Sequence, residues 1–154
     1  AISLQTAVNV NTGTSVTLTS SIPSGVREII IDCENISFTG SESLQLDLNS
    51  ETSGYVCGSS AFSGATAYAN YTNAFRFRMA TAAANGFYGR FRLTLMDAAT
   101  NKWSCEGSGH NTVDSSTILV GTKSLSGALT TLRLNGAGGG TFDGSGIATV
   151  SWRF

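Results

Sequence analysis

Apolar and polar residues alternate along this chain in run after run of strand length. The stretch SLQLDLN (43–49) is the plainest case, with Leu44, Leu46 and Leu48 on one side and Gln45, Asp47 and Asn49 on the other. A two-residue period marks a half-buried strand, because successive side chains of an extended backbone point to opposite faces. The period predicts strands near 2–9, 14–20, 26–36, 43–49, 54–59, 74–80, 87–97, 102–107, 117–124, 128–135 and 146–154. Between them lie turn chemistries such as NTG, SIPSG, TGSES, AATN and GAGGG, and the only proline, Pro23, sits in a connection.

Helical periodicity is confined to two short stretches, SGATAYANY (63–71) and ATAAANG (80–86), neither longer than a turn or two. No repeat of fixed period appears, which disfavours a propeller or a solenoid. One domain over 1–154 is expected, large enough for a single core. Many antiparallel strands in one domain predict an all-β sandwich, jelly-roll-like in its connections, over a closed barrel.

Charged residues make up only 12% of the chain and the net charge is −1. That balance offers no footprint for nucleic acid, and there is no apolar run long enough for a membrane-spanning helix. The first ten residues lack the basic region of a retained signal peptide. A start at Ala1 fits removal of an initiator Met or of a longer upstream region. The three cysteines, Cys33, Cys57 and Cys105, are too few and too scattered for a disulfide framework. Cys33 continues the alternation of Ile29 and Ile31 into the core. Cys57 and Cys105 are left either as a pair or, with Cys33, as buried thiols of a reducing cytoplasm.

Catalysis has little to work with. His110 is the only histidine, in GSGHNTVD, where it reads as a solvated loop residue. Asp114 and a serine could complete a triad on paper, but no G-x-S-x-G elbow is present. The reading is therefore a non-enzyme with no cofactor. GGGTFDGSG resembles a calcium turn without the repeat that such turns need, so Asp143 is read as a turn residue and no metal is assigned.

Arginine makes the sharper constellation. In AFRFRMA, Phe75, Phe77 and Met79 alternate with Arg76 and Arg78; in FYGRFRLTLMD, Phe87, Phe91, Leu93 and Leu95 alternate with Tyr88, Arg90 and Arg92. Only TAAANG separates the two runs, so a hairpin is expected, setting Arg78 against Arg90 and Arg76 against Arg92. Like charges directly opposite destabilise a sheet. Either Glu28, Asp32, Glu34 and Asp47 compensate them as a cross-strand ladder, or the stripe meets an anionic partner such as a glycan carboxylate, a lipopolysaccharide phosphate or an acidic patch on a neighbouring subunit. Phe62, Tyr68 and Tyr71 fall in CGSSAFSGATAYANYTNA, read as a long loop, and Tyr55 lies beside it. Their rings would either form a sugar platform or cover one end of the sandwich.

The order of IPSGVREIIID, SGYV, LTLMDAATNKW, GTKSLSGALTTLRL and TFDGSG before a last strand resembles a domain of tailed-bacteriophage virion proteins, found in tail fibres and minor structural proteins. The most specific part is K-x-L-S-G-x-L, then an Arg-bearing strand and T-F-D-x-G. It is matched by Lys123, Leu125, Ser126, Gly127, Leu129, Arg133, Thr141, Phe142, Asp143 and Gly144. The resemblance implies a β-sandwich virion structural protein, assembled in the host bacterial cytoplasm and working without a cofactor. A tail-fibre or receptor-binding tip attaching to a host-surface glycan is the first expectation, and a capsid decoration protein is the alternative. A secreted carbohydrate-binding module is a further alternative from another class. The expected partners are other virion proteins and other copies of the chain, as a homotrimer. The final strand IATVSWRF is expected to place Trp152 and Phe154 at the oligomer seam.

Overall fold

The computed structural model describes residues 1–82 and 85–154. The chain folds as an antiparallel β-sandwich. The strands among the described residues are β1 (Ile2–Leu4), β2 (Val8–Asn9), β3 (Ser15–Thr19), β4 (Glu28–Phe38), β5 (Glu42–Leu48), β6 (Tyr55–Phe62), β7 (Thr66–Tyr71), β8 (Phe75–Thr81), β9 (Phe87–Asp97), β10 (Lys102–Asn111), β11 (Ser116–Ser124), β12 (Leu132–Gly136), β13 (Phe142–Asp143) and β14 (Ile147–Arg153). The larger sheet runs β1-β14-β4-β9-β10-β11-β6-β7, with β2 and β13 attached to β14 and β4. The smaller runs β3-β12-β5-β8. As in a jelly roll, the chain changes sheet repeatedly, between β4 and β5, between β8 and β9, and between β11 and β12.

The alternation reads out as predicted in the core. Leu44, Leu46 and Leu48 of β5 and Phe75 and Phe77 of β8, neighbours in the smaller sheet, share one buried core with Phe87 and Phe91 of the larger sheet. Several strands depart from the sequence reading. β7 occupies the stretch read as a helical turn or loop, so CGSSAFSGATAYANYTNA is mostly the β6–β7 hairpin, joined from Cys57↔Tyr71 to Phe62↔Thr66. β10 runs on to Asn111, so His110 is a strand residue and not a loop one. The glycines that made GSG look like a loop are spaces for rings. A Cβ at Gly109 would stand 2.5 Å from the Phe87 ring, and one at Gly107 would stand 2.8 Å from Phe77. Phe77 also packs on Phe87 and Phe91, at centroid distances of 4.9 and 4.7 Å. The predicted strand over 128–135 begins only at Leu132. Before it, the carboxamide of Asn49 accepts the backbone N–H groups of Thr130 and Thr131 and donates to the Ala128 carbonyl, holding that segment off the sheet.

All three cysteines are buried free thiols. Cys105 pairs with Gly121, which pairs in turn with Cys57. The two thiols thus lie two strand spacings apart, about 9.6 Å between Cα atoms, beyond the roughly 7 Å a disulfide spans. Burial raises the pKa of all three thiols, those of Cys33 and Cys105 well above the ordinary range.

Candidate binding surface

The arginine stripe divides between the two sheets. β8 pairs with β5 in the smaller sheet, while β9 lies between β4 and β10 in the larger one. The expected register of Arg78 against Arg90 and Arg76 against Arg92 is therefore wrong. Within TAAANG, Ala83 and Ala84 lie outside the described residues. The physical reason is that both runs carry inward phenylalanines. Crossing from one sheet to the other lets Phe75 and Phe77 pack opposite Phe87 and Phe91, and pairing side by side would not.

Arg90 and Arg92 have acidic partners on β4. Register sets Asp32 beside Arg90, and Arg90 Nε lies 2.6 Å from Asp32 Oδ1. Arg92 donates from one terminal nitrogen to Glu28 Oε2 at 2.8 Å, and Arg153 of β14 approaches the other oxygen at 3.6 Å. The hydrogen bond from Arg92 is the chief cause that holds the Glu28 carboxyl below its ordinary pKa. Of the two readings of the stripe, the ladder with Glu28 and Asp32 describes this half, so it offers no unpaired cation to an anion.

Arg76 and Arg78 behave differently. The Arg76 guanidinium lies 4.4 Å from the centre of the Tyr71 ring, and its Nε is buried without a partner. Arg78 is exposed, and its backbone N–H donates to Ser59 Oγ at 2.8 Å. Ser59 belongs to β6, so one inward hydroxyl satisfies part of the free edge of β8 and ties the two sheets together on this side.

Asp47 pairs with none of these four arginines. It lies 1% exposed on the outer side of β5 and takes Arg133 at 2.6 Å and Asn135 Nδ2 at 2.7 Å. Gln45 Nε2 donates to Asn135 Oδ1 at 2.6 Å in the same cluster. The alternation in LRLNG could have revealed Arg133 and Asn135 as outward-facing residues. What it could not supply was the pairing of β12 with β5.

The tyrosines do not form one platform. Tyr71 points inward at the sheet edge, half-buried beneath Arg76, whereas Tyr68 lies on the outer face. Its ring covers Gly58, where a Cβ would stand 2.5 Å from the phenol oxygen, and its hydroxyl donates to Asn70 Oδ1 at 2.7 Å. Tyr55 is buried in the core, donating to the Glu51 carbonyl and accepting from the Leu48 N–H, both at 2.9 Å. Phe62 stands partly exposed at the end of β6.

The seam expected of the last strand also fails for Trp152. β14 lies between β1 and β4, and Trp152 pairs with Ser3 on one side and Ile29 on the other, buried in the chain's own core. β1 covers what would have been an edge. Phe154, past the end of the strand, is 64% exposed.

The motif residues that carried the resemblance hold the sandwich together. Lys123 is buried and donates to Glu51 Oε1 at 3.1 Å, while the Ser126 backbone N–H and hydroxyl go to the other Glu51 oxygen. Leu125 and Leu129 enter the core. Phe142 stacks on Phe38 at 4.5 Å, and Asp143 accepts the Ser37 hydroxyl. The glycine run before it wraps the Glu42 carboxylate, which takes the N–H groups of Gly138 and Gly140 at 2.7 and 3.1 Å. His110 stacks on Tyr88 with ring centres 5.6 Å apart, and its Nδ1 lies 2.9 Å from the Asn111 carbonyl. The Asp114 carboxylate accepts from the Ser115 hydroxyl. No described contact brings Asp114 and a serine to His110. Among the described residues, no group of three or more His, Cys, Asp or Glu side chains is placed to hold a metal. No described helix is long and apolar enough to cross a membrane.

What remains on the surface is the outer face of the larger sheet. A shallow groove crosses it, walled by Arg90 and Arg92 on one side and by Ile118 and Val120 on the other, with Glu106 and Ser108 between. At the end of the sandwich, Trp103, Ile22, Val26 and Leu129 line a cleft of about 220 Å³ beside Arg27. Compared with known protein families, curated proteins and solved structures, the chain matches none.

Proposed function

We propose that this chain is a structural protein of a tailed-bacteriophage virion, a tail-fibre or receptor-binding tip domain that attaches to the host surface in company with other copies and other virion proteins. The observation that supports this reading is what the motif residues do. Lys123, Ser126, Phe142 and Asp143 are spent on clamping loops and filling the core, away from any convergent reactive cluster. A scaffold whose working part is its surface uses residues in that way. The flat outer face of the larger sheet, with Ile118, Val120 and Tyr68 standing on it, equally favours a decoration protein lying on the capsid shell.

Immunogold labelling of intact virions with antibody raised against the chain tests the assignment. Label at the tail tip supports the attachment reading. Label over the head replaces it with decoration, and virions that carry no label overturn both.

A further inference from the structure

Two strong donors on the cleft at the end of the sandwich have no partner in the chain. The cleft is lined by Ile22, Val26 and Arg27 from the connection between β3 and β4, by Asn101 and Trp103 at the β9–β10 turn, and by Leu129 from the segment before β12. Each connection is tied to the frame. The Ile22 N–H donates to the Thr130 carbonyl at 3.2 Å, and the Leu125 N–H donates to the Asn101 carbonyl at 3.1 Å. Arg27 is held on both sides, its N–H on the Arg153 carbonyl and its own carbonyl on the Leu95 N–H, both at 2.8 Å. The cleft is thus formed in advance, as ligand sites generally are.

Trp103 supplies the first donor. It is 4% exposed, set between Leu95 on β9 and Lys123 on β11. Its indole N–H has no hydrogen-bond partner among the described residues, and the nitrogen is not sealed from solvent. A buried tryptophan usually satisfies that donor. Arg27 supplies the second. Its guanidinium has no ion pair or hydrogen bond among the described residues, and it is the only charged side chain on the cleft. The acids that flank the lining in sequence are engaged elsewhere. Glu28 takes Arg92 and Arg153, and Asp97 accepts the Thr100 hydroxyl and the Ala99 N–H.

We propose that this cleft binds a small carboxylate with an apolar body. The two free groups are donors and one is cationic, so they select an acceptor oxygen that carries negative charge. The larger side chains around them, Ile22, Val26, Leu95 and Leu129, select an apolar ring or branched chain. Ser24 and Asn101 are the only other polar side chains on the lining. A sugar acid would bring a hydroxyl on nearly every carbon and leave most of them unpaired, which costs more than the carboxylate returns. Volume sets the size. A cavity of about 150 Å³ accepts benzene, and this cleft, at about 220 Å³, adds room for a carboxylate on a short arm. In that pose the carboxylate meets the Arg27 guanidinium and accepts the Trp103 N–H, while the ring lies on the apolar wall.

The site stands on the chain alone, so its test does not depend on where a virion carries it. The indole N–H resonance of Trp103, told from that of Trp152 by Trp152→Phe, is followed by NMR in isotope-labelled protein. Phenylacetate should move it saturably, with a Kd below about 1 mM. Phenylacetamide, the same body without the charge, should bind about tenfold more weakly or worse. Acetate, the charge without the body, should give no saturable shift. Arg27→Gln should bring phenylacetate down to the affinity of the amide and leave the amide's own affinity unchanged, whereas Arg27→Lys should keep most of the difference. Ala128→Phe, which fills the cleft from an exposed position, should abolish binding of both. No saturable shift with phenylacetate up to about 10 mM overturns the inference. So does phenylacetamide binding as tightly as phenylacetate, an Arg27→Gln protein that binds phenylacetate unchanged, or a shift that persists in Ala128→Phe.

Discussion

Arg133 places a terminal nitrogen 2.6 Å from Asp47 Oδ2, on a carboxylate that is almost wholly buried although it stands on the outer side of its sheet. The pair spans β12 and β5, whose register sets the two residues opposite each other. Asn135 adds a second donor to the same oxygen, while Oδ1 has no partner among the described residues. Among the described residues, Arg133 is the cation that compensates this charge, which is already short of hydrogen bonds. Arg133→Ala should cost about 3–5 kcal/mol, because it strands a buried carboxylate. Replacing both residues by Leu and Met should cost much less. Urea denaturation of the three proteins measures this, and a loss below about 1 kcal/mol for Arg133→Ala would show that water reaches Asp47.

Glu28 gives the fold an acid-sensitive contact. Its folded pKa is depressed, first by the hydrogen bond from Arg92 and further by the charges of Arg92 and Arg153. A depressed carboxylate stabilises the folded state fully above its unfolded pKa, and that contribution is lost as pH falls through the folded value. Thermal stability should thus fall on acidification below about pH 4.5, the ordinary carboxylate range. Glu28→Gln should flatten part of that fall and lower stability at neutral pH. Melting temperatures of both proteins between about pH 3 and 7 decide it. Parallel curves would mean that the ladder contributes nothing.

Gly107 and Phe77 test the close approach of the two sheets. A methyl group at Gly107 meets the Phe77 ring at 2.8 Å and the Arg90 carbonyl at 3.1 Å, inside ordinary contact distance. Gly107→Ala should destabilise by about 1–3 kcal/mol, as overpacking does. In a Phe77→Leu background the same change should cost less, since the shorter side chain vacates the space. Equal costs in the two backgrounds would place the strain on the Arg90 carbonyl and the Leu119 side chain, each 3.1 Å from the added methyl.

These contacts mark what the sequence let one read. Period two is local, so Leu44–Leu48, Phe75–Met79 and Phe87–Leu95 showed their inward faces directly, and the sandwich followed. Pairing is not local. TAAANG looked like a hairpin turn because nothing within those residues records that Phe77 must lie opposite Phe87. GSG looked mobile because the ring that needs Gly109 comes from twenty-two positions earlier, at Phe87. On the surface the outward residues were legible, and Asp32 beside Arg90 fits the charge ladder that was one of two readings. Which strands supply the partners was hidden, for Arg90 and Asp32 as for Arg133 and Asp47, because both pairs join strands far apart in the chain. The exposure of Val56, Ile118 and Val120 was hidden for another reason. Valine and isoleucine in a strand read as core, and only the sheet order reveals which of them the other sheet leaves uncovered.

The two aromatic residues that end the chain separate burial from exposure. Trp152 is 5% exposed, set between Ser3 and Ile29, whereas Phe154 is 64% exposed beside Gly25. Trp152→Ala should cost about 3–5 kcal/mol through lost transfer energy and the cavity left behind. Phe154→Ala should change stability by less than about 0.5 kcal/mol, as exposed positions do. Chemical denaturation of the two variants at a concentration where the chain is monomeric isolates these terms from association. If Phe154→Ala proves as costly as Trp152→Ala under those conditions, its ring packs within the chain more closely than its exposure allows, and the division between the two residues fails.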